Sequence, residues 1–232
     1  MSEKFEIMQV ISSATKVPGV KINRDDFLAE EFSAPKYNEF RKSIIAIGPI
    51  NAGISKEDIK KHAKGIINFE TTKVTALSTL AGIPGGLAMI GTIPADLAQF
   101  YAHVLRVIQK LMYLYGWDDI GNMDEETKNL LLIFLGAMSG VEAAEKAITE
   151  LCKSATTKVS KTIAAKALTK TTLYPIIKKI CVMLGVKVTK KIFAQWIAKV
   201  VPIIGGIVSG TLTLATFKPM SLKLLKVIDE NS

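Results

Sequence analysis

Between Leu151 and Ile228 the chain has no aspartate or glutamate, although the same stretch carries fourteen lysines: Lys153, Lys158, Lys161, Lys166, Lys170, Lys178, Lys179, Lys187, Lys190, Lys191, Lys199, Lys218, Lys223 and Lys226. An inert helical surface mixes Glu with Lys for i,i+4 pairing, so this run departs from the usual pattern. Taking these lysines from the net charge of +9 leaves −5 for the rest of the chain. Such asymmetry points to an anionic partner for the C-terminal part, a membrane surface or a nucleic acid. Arginine is scarce too: Arg24, Arg41 and Arg106 are the only three, all outside the basic stretch, and aromatics within it are too sparse for base stacking. The charge therefore favours anionic lipid over nucleic acid.

Cysteine and histidine are equally few. Cys152 and Cys181 lie in apolar helical contexts, and two buried thiols in a reducing cytoplasm are expected rather than a disulfide. His62 and His103 are the only histidines, neither near a cysteine, so no metal site is expected. No cofactor is implied either. The first residues, MSEKFEIMQV, lack a basic segment followed by an apolar run, so no secretory leader is expected. No arrangement of nucleophile, base and acid stands out, and a non-enzymatic role is favoured.

What the chain does have is apolar residues, 49% of the total, with a mean hydropathy of +0.29. Val74 to Ala95 carries no charge, and Val200 to Phe217 is a second uncharged stretch. Gly82, Pro84 and Gly86 break the first, so two helical pieces joined at Ile83-Pro84-Gly85 are expected instead of a membrane span. Gly82 and Gly86 also form a small-xxx-small step that permits close helix approach. Gly205, Gly206 and Gly210 give the second stretch a similar composition, and a buried Gly-rich hairpin is preferred there to a spanning or inserting helix. A short basic helix, Pro219 to Val227, is expected to finish the chain.

Elsewhere the period is helical. A short amphipathic helix over residues 3–14 ends at Pro18-Gly19, a second is capped around Arg24-Asp25-Asp26, and a third covers Tyr37 to Ile47. Ser55 and Asp58 form a capping box for a helix through Ile59, His62 and Ile66, with His62 read as an exposed polar residue. Thr92, Pro94 and Asp96 suit the start of a helix that stops at Gly116. On it Asp96, Gln99, His103, Arg106 and Lys110 make one stripe, and Leu97, Phe100, Val104, Ile108, Leu111, Met112 and Tyr115 another. Asp96 and His103 are about 10 Å apart by helix rise, too far for a direct acid–base pair, and His103 reads as a surface residue.

Asn122 or Asp124 caps a helix through LLLIFL, which is apolar nearly all round and belongs in a core. Gly136 and Gly140 repeat the small-residue spacing. Ala155 to Thr172 has a weak apolar face and reads as peripheral or partner-dependent, and Pro175 opens a helix expected to end at Gly185. A continuation to Pro202 carries Trp196 with Ile192, Lys199 and Val200, spacing that suits a core contact or an interfacial anchor among lysines.

Four blocks together resemble the EcsC-like family of bacterial proteins: PGVKINRDDFL from Pro18 to Leu28, IPGGLAMIGTIPADLAQ ending at Gln99, RVIQKLMYLYGWD from Arg106 to Asp118, and KVVPIIGGIVSGTLTLATFKPM from Lys199 to Met220. The resemblance implies an all-helical, membrane-associated domain linked to transport and secretion, with no established reaction and no catalytic residues to carry over. Some related sequences bear a name implying reduction of a bacteriochlorophyll vinyl group; with no GxGxxG after a strand and no metal-ligand spacing here, that chemistry is not expected.

The expectation is an all-α bundle with the two Gly-rich segments packed in its core, divided as an N-terminal helical region over 1–70 and a core over 71–232, in one continuous domain. Peripheral docking on the inner face of the cell membrane, with anionic lipid or a membrane protein as partner, is the leading function. Its contacts are expected at Lys178, Lys179, Lys187, Lys190, Lys191, Trp196 and Lys199. The alternative is a carrier or enzyme for a small apolar or lipid ligand held between the Gly-rich segments, with Tyr101, His103 and Tyr115 supplying polar groups.

Overall fold

The computed structural model describes residues 3–81, 89–90, 93–154, 161–170, 173–188 and 208–232. Their architecture is all-helical, with ten α-helices. In chain order they are α1 (Glu3–Ala14), α2 (Arg24–Glu31), α3 (Arg41–Ile47), α4 (Lys56–Ala81), α5 (Ala95–Leu114), α6 (Glu125–Met138), α7 (Glu142–Ser154), α8 (Lys161–Lys170), α9 (Tyr174–Val188) and α10 (Val208–Glu230). The one other pairing described is a two-residue antiparallel contact, β1 (Met89–Ile90) with β2 (Ile93–Pro94), just ahead of α5.

Local chemistry sets most boundaries. Asn23 Oδ1 accepts the Asp26 amide at 3.0 Å and caps α2, one residue before the cap expected from Arg24-Asp25-Asp26. Pro35 starts a short 3-10 turn to Tyr37, which splits the expected third helix so that α3 begins only at Arg41. Ser55 Oγ accepts the Asp58 amide at 3.1 Å, as the capping box requires, and α4 then runs to Ala81, straight through residue 70. Asp124 Oδ1 accepts the Thr127 amide at 2.8 Å and caps α6. Gly116 closes α5 with φ of 79°, the left-handed geometry that glycine adopts without a Cβ penalty.

The core lies where α5 and α6 meet their neighbours. LLLIFL on α6 is wholly buried, with Phe134 edge-on to Trp117 at 5.2 Å between ring centroids. Gly136 lets α7 and α9 approach: a Cβ there would stand 2.8 Å from Ala144 Cβ and 2.9 Å from Ile180 Cγ2. Gly140 does not share that role, because its φ of 78° makes it the turn after α6.

Three further expectations change. The helix from Pro175 does not stop at Gly185, since α9 continues to Val188. α8 is not peripheral: Thr162, Ala165 and Thr169 are buried against α6 and α7, and the Thr162 hydroxyl donates to the Asp118 carbonyl at 3.0 Å. Instead of a separate helix from Pro219, α10 is continuous from Val208 to Glu230 with Pro219 exposed inside it. Phe217, Ser221, Leu224, Leu225 and Ile228 form its buried stripe, and it packs along α4. The Lys60–Asp229 ion pair, 2.7 Å, sets the end of α10 beside the start of α4, so the two helices run antiparallel. The expected joint at Ile83-Pro84-Gly85 lies outside the described residues.

Candidate functional site

Four lysines of the acid-free stretch have acidic partners. Lys166 pairs with Asp124 at 3.4 Å, Lys170 with Glu126 at 2.6 Å, Lys223 with Glu145 at 3.2 Å and Lys226 with Glu230 at 3.8 Å. The acids missing from their own stretch are mostly supplied across helix interfaces by α6 and α7, so this part of the positive charge is answered within the fold.

Lys178 and Lys179 on α9 are different. Ile177, Ile180 and Cys181 bury one side of α9. The opposite side exposes Tyr174, Lys178 and Val182 at i, i+4 and i+8, with Pro175 and Lys179 alongside. Tyr174 is 43% and Val182 50% exposed, unusual for such side chains on a helix otherwise packed into the core. Lys178 Nζ sits 4.5 Å above the Tyr174 ring. Lys179 lies near enough to Glu142 to help lower its carboxyl pKa, after the larger contribution from the Glu142–Lys146 pair. The side chain of Lys187 and the residues Lys190, Lys191, Trp196 and Lys199 lie outside the described part.

Of the pocket candidates, Gly82, Pro84, Gly86, Gly205 and Gly206 also lie outside it, and Gly210 falls in the first turn of α10. Tyr101 and His103 on α5 and Tyr115 in the turn just after it are all buried, but they do not converge. Tyr115 donates its hydroxyl to Asp229 Oδ1 on α10 at 3.0 Å, and Tyr101 stacks edge-on against Phe100. Burial raises the pKa of both phenols.

His103 belongs to a cluster not expected from the helical wheel. It is 7% exposed, not on the surface, and its Nδ1–H donates to Glu70 Oε2 at 2.8 Å. Glu70 of α4 is fully buried. Its other oxygen accepts from Lys110 Nζ at 2.7 Å and faces Arg106 Nε at 3.4 Å. Burial pushes the Glu70 carboxyl up, but hydrogen bonds from His103 and Lys110 and the charges of Lys110 and Arg106 outweigh it and hold the group at about 2. His103, Arg106 and Lys110 of the polar stripe on α5 therefore point at a buried carboxylate.

His62 is likewise engaged rather than freely exposed. Its Nδ1 donates to Glu31 Oε1 at 2.6 Å, and its Nε2 pairs with the Tyr37 hydroxyl at 2.9 Å. Each histidine of the chain is thus oriented by a glutamate. Between the two pairs opens a cavity of about 470 Å³, lined by Phe27, Glu30, Glu31 and Ser33 from α2 and its end, Gly65, Ile66 and Phe69 from α4, and Lys110 from α5. Glu31 links it to His62, and Lys110 links it to Glu70.

The cluster had one visible signal. Ile59, Ala63, Ile66, Ile67, Glu70 and Val74 form the buried face of α4, so Glu70 stands where the period asks for an apolar residue. Among the described residues no three His, Cys, Asp or Glu side chains are grouped to hold a metal ion, and Cys152 and Cys181 are thiols not joined in a disulfide.

The fold and these sites define an all-helical protein with a Lys-bearing amphipathic face on α9 and an acid-rimmed cleft between α2, α4 and α5. No family model, curated protein or solved structure matches the chain.

Proposed function

We propose that this is a non-enzymatic helical protein that docks peripherally on anionic membrane surfaces through the outer face of α9. The observation that carries the reading is the stripe Tyr174, Lys178 and Val182 with Lys179 beside it: lysines flanked by exposed apolar and aromatic side chains, on a helix without an acidic residue. Tyrosine rings and aliphatic side chains suit the headgroup boundary, while lysine stems lie along it and keep their charge among the phosphates. Each engaged lysine contributes on the order of 1 kcal/mol near an anionic leaflet. Lys187 stands in the last turn of α9, and the lysines at 190, 191 and 199 continue the same acid-free sequence beyond it.

Docking is proposed in place of insertion because, among the described residues, no helix is long and apolar enough to cross a membrane. α10, the longest apolar candidate, carries Lys218, Pro219, Lys223 and Lys226. We also propose membership of the EcsC-like family on the four sequence blocks, and with it a role at the inner face of the cell membrane supporting transport, secretion or envelope processes, with a membrane protein as a further partner.

Flotation with vesicles tests the reading. The protein is expected to float with phosphatidylglycerol-containing vesicles at low salt, to remain behind with pure phosphatidylcholine, and to be released as salt rises past the point where the Debye length is about 10 Å. Equal recovery with both vesicle types, insensitive to salt, would contradict it.

A further inference from the structure

We propose that the outer flank of α10 is a second contact with the anionic membrane surface, an extension that rests on the docking reading of α9. The protein then meets the leaflet with two helices and not with α9 alone.

α10 repeats the order of side chains seen on α9. Tyr174, Ile177, Lys178, Cys181 and Val182 run exposed, buried, lysine, buried, exposed, and Leu214, Phe217, Lys218, Ser221 and Leu222 run the same way. Leu214, Lys218 and Leu222 stand at i, i+4 and i+8, so they share one flank of the helix. Leu214 is 48% and Leu222 38% exposed, while the next residues round the helix fill the core. Lys218 between them is exposed and pairs with no acid among the described residues. A single exposed leucine is ordinary on a surface. Two of them flanking an unanswered lysine, in the register of α9, make a second surface of the same kind.

The charge around this flank suits an anionic leaflet. Asp229 and Glu230, the two acids of α10, stand at its end, where Lys60 and Lys226 pair with them at 2.7 and 3.8 Å. Lys218 is about 16 Å from Asp229 by helix rise. The α9 and α10 flanks border the same edge, the start of α7. There Lys146 does most to lower the Glu142 carboxyl and Lys179 of α9 adds to it, while Glu145, one turn on, takes Lys223 of α10 at 3.2 Å. Two acids thus face three lysines, and no net negative charge divides the flanks. A leaflet laid along this edge meets Lys178, Lys179 and Lys218, with Tyr174, Val182, Leu214 and Leu222 at the headgroup boundary. A nucleic acid would use the lysines and leave the leucines in water.

Partitioning of the full chain onto phosphatidylglycerol vesicles at low salt tests the second contact. Lys218→Gln and Lys153→Gln remove the same charge, but Lys153 lies at the far end of α7, about 16 Å by helix rise from Glu142. Lys218→Gln should lower the partition coefficient about fivefold and Lys153→Gln less than about twofold. Leu214→Gln leaves the charge unchanged and should lower it about threefold, at the melting temperature of the parent chain. Equal losses in the two lysine variants, or no loss in Leu214→Gln, would overturn the α10 contact. If Lys178→Gln with Lys179→Gln weakens binding and Lys218→Gln does not, the α10 contact is wrong and docking through α9 stands; if the parent chain does not bind these vesicles, both are wrong. Should Leu214→Gln lower the melting temperature, the two lysine variants decide alone.

Discussion

At Glu70 a single carboxylate answers three basic groups on the facing helix, and none of the four could be buried there alone. Glu70→Gln keeps the shape but leaves Lys110 and Arg106 without their counter-charge, and it should cost about 3–5 kcal/mol in denaturant unfolding; a loss under about 1 kcal/mol would mean that the cluster is solvated like a surface pair. The pH dependence has a definite sign. The folded carboxyl, at about 2, lies below its ordinary value of 4.5, so its stabilisation is complete above about pH 4.5 and is lost as pH falls towards 2. The difference corresponds to about 3 kcal/mol. Unfolding free energies of the parent chain and Glu70→Gln should therefore converge between pH 4.5 and 2; parallel curves would show that another group controls the acid limb.

Among the helices, glycine acts in two opposite ways. Gly136 lies where α6, α7 and α9 crowd together, so Gly136→Ala sets a helix-propensity gain of about 1 kcal/mol against overpacking of about 1–3 kcal/mol, and a lower melting temperature is expected. Gly65 has open space at the same position, so Gly65→Ala should stabilise by about 1 kcal/mol. Finding the same sign for both would contradict the packing described. Asp124 caps α6 and also meets Lys166, and Asp124→Ala should cost about 1 kcal/mol, measured by thermal unfolding.

Caps and stops of this kind are local, which is why the starts of α4 and α6, the Gly116 stop and the buried LLLIFL run could be read from the sequence. The Glu70 cluster could not, because its partners lie 33 to 40 residues away on another helix. A polar stripe facing a buried acid has the same period as one facing water. The continuity of α10 was hidden for a related reason: Pro219 is a strong local breaker, and the burial of Phe217, Ser221 and Leu224 against neighbouring helices overrides it.

For the molecule as a whole, the charge asymmetry seen along the sequence is partly dissolved by folding. Lys166, Lys170 and Lys223 find acids on α6 and α7, so the formal surplus overstates the free positive surface. Of the lysines without an acidic partner among the described residues, Lys178 and Lys179 stand with exposed apolar side chains on α9, and Lys153, Lys161 and Lys218 lie on α7, α8 and α10. The most direct test of the docking surface compares two neutralised variants in the same vesicle-binding titration. Lys178→Gln with Lys179→Gln should lower partitioning onto phosphatidylglycerol vesicles by about 2 kcal/mol, roughly thirtyfold, whereas Lys170→Gln, whose charge Glu126 already answers, should leave it nearly unchanged. Equal losses in the two variants, or none in the α9 pair, would contradict the account.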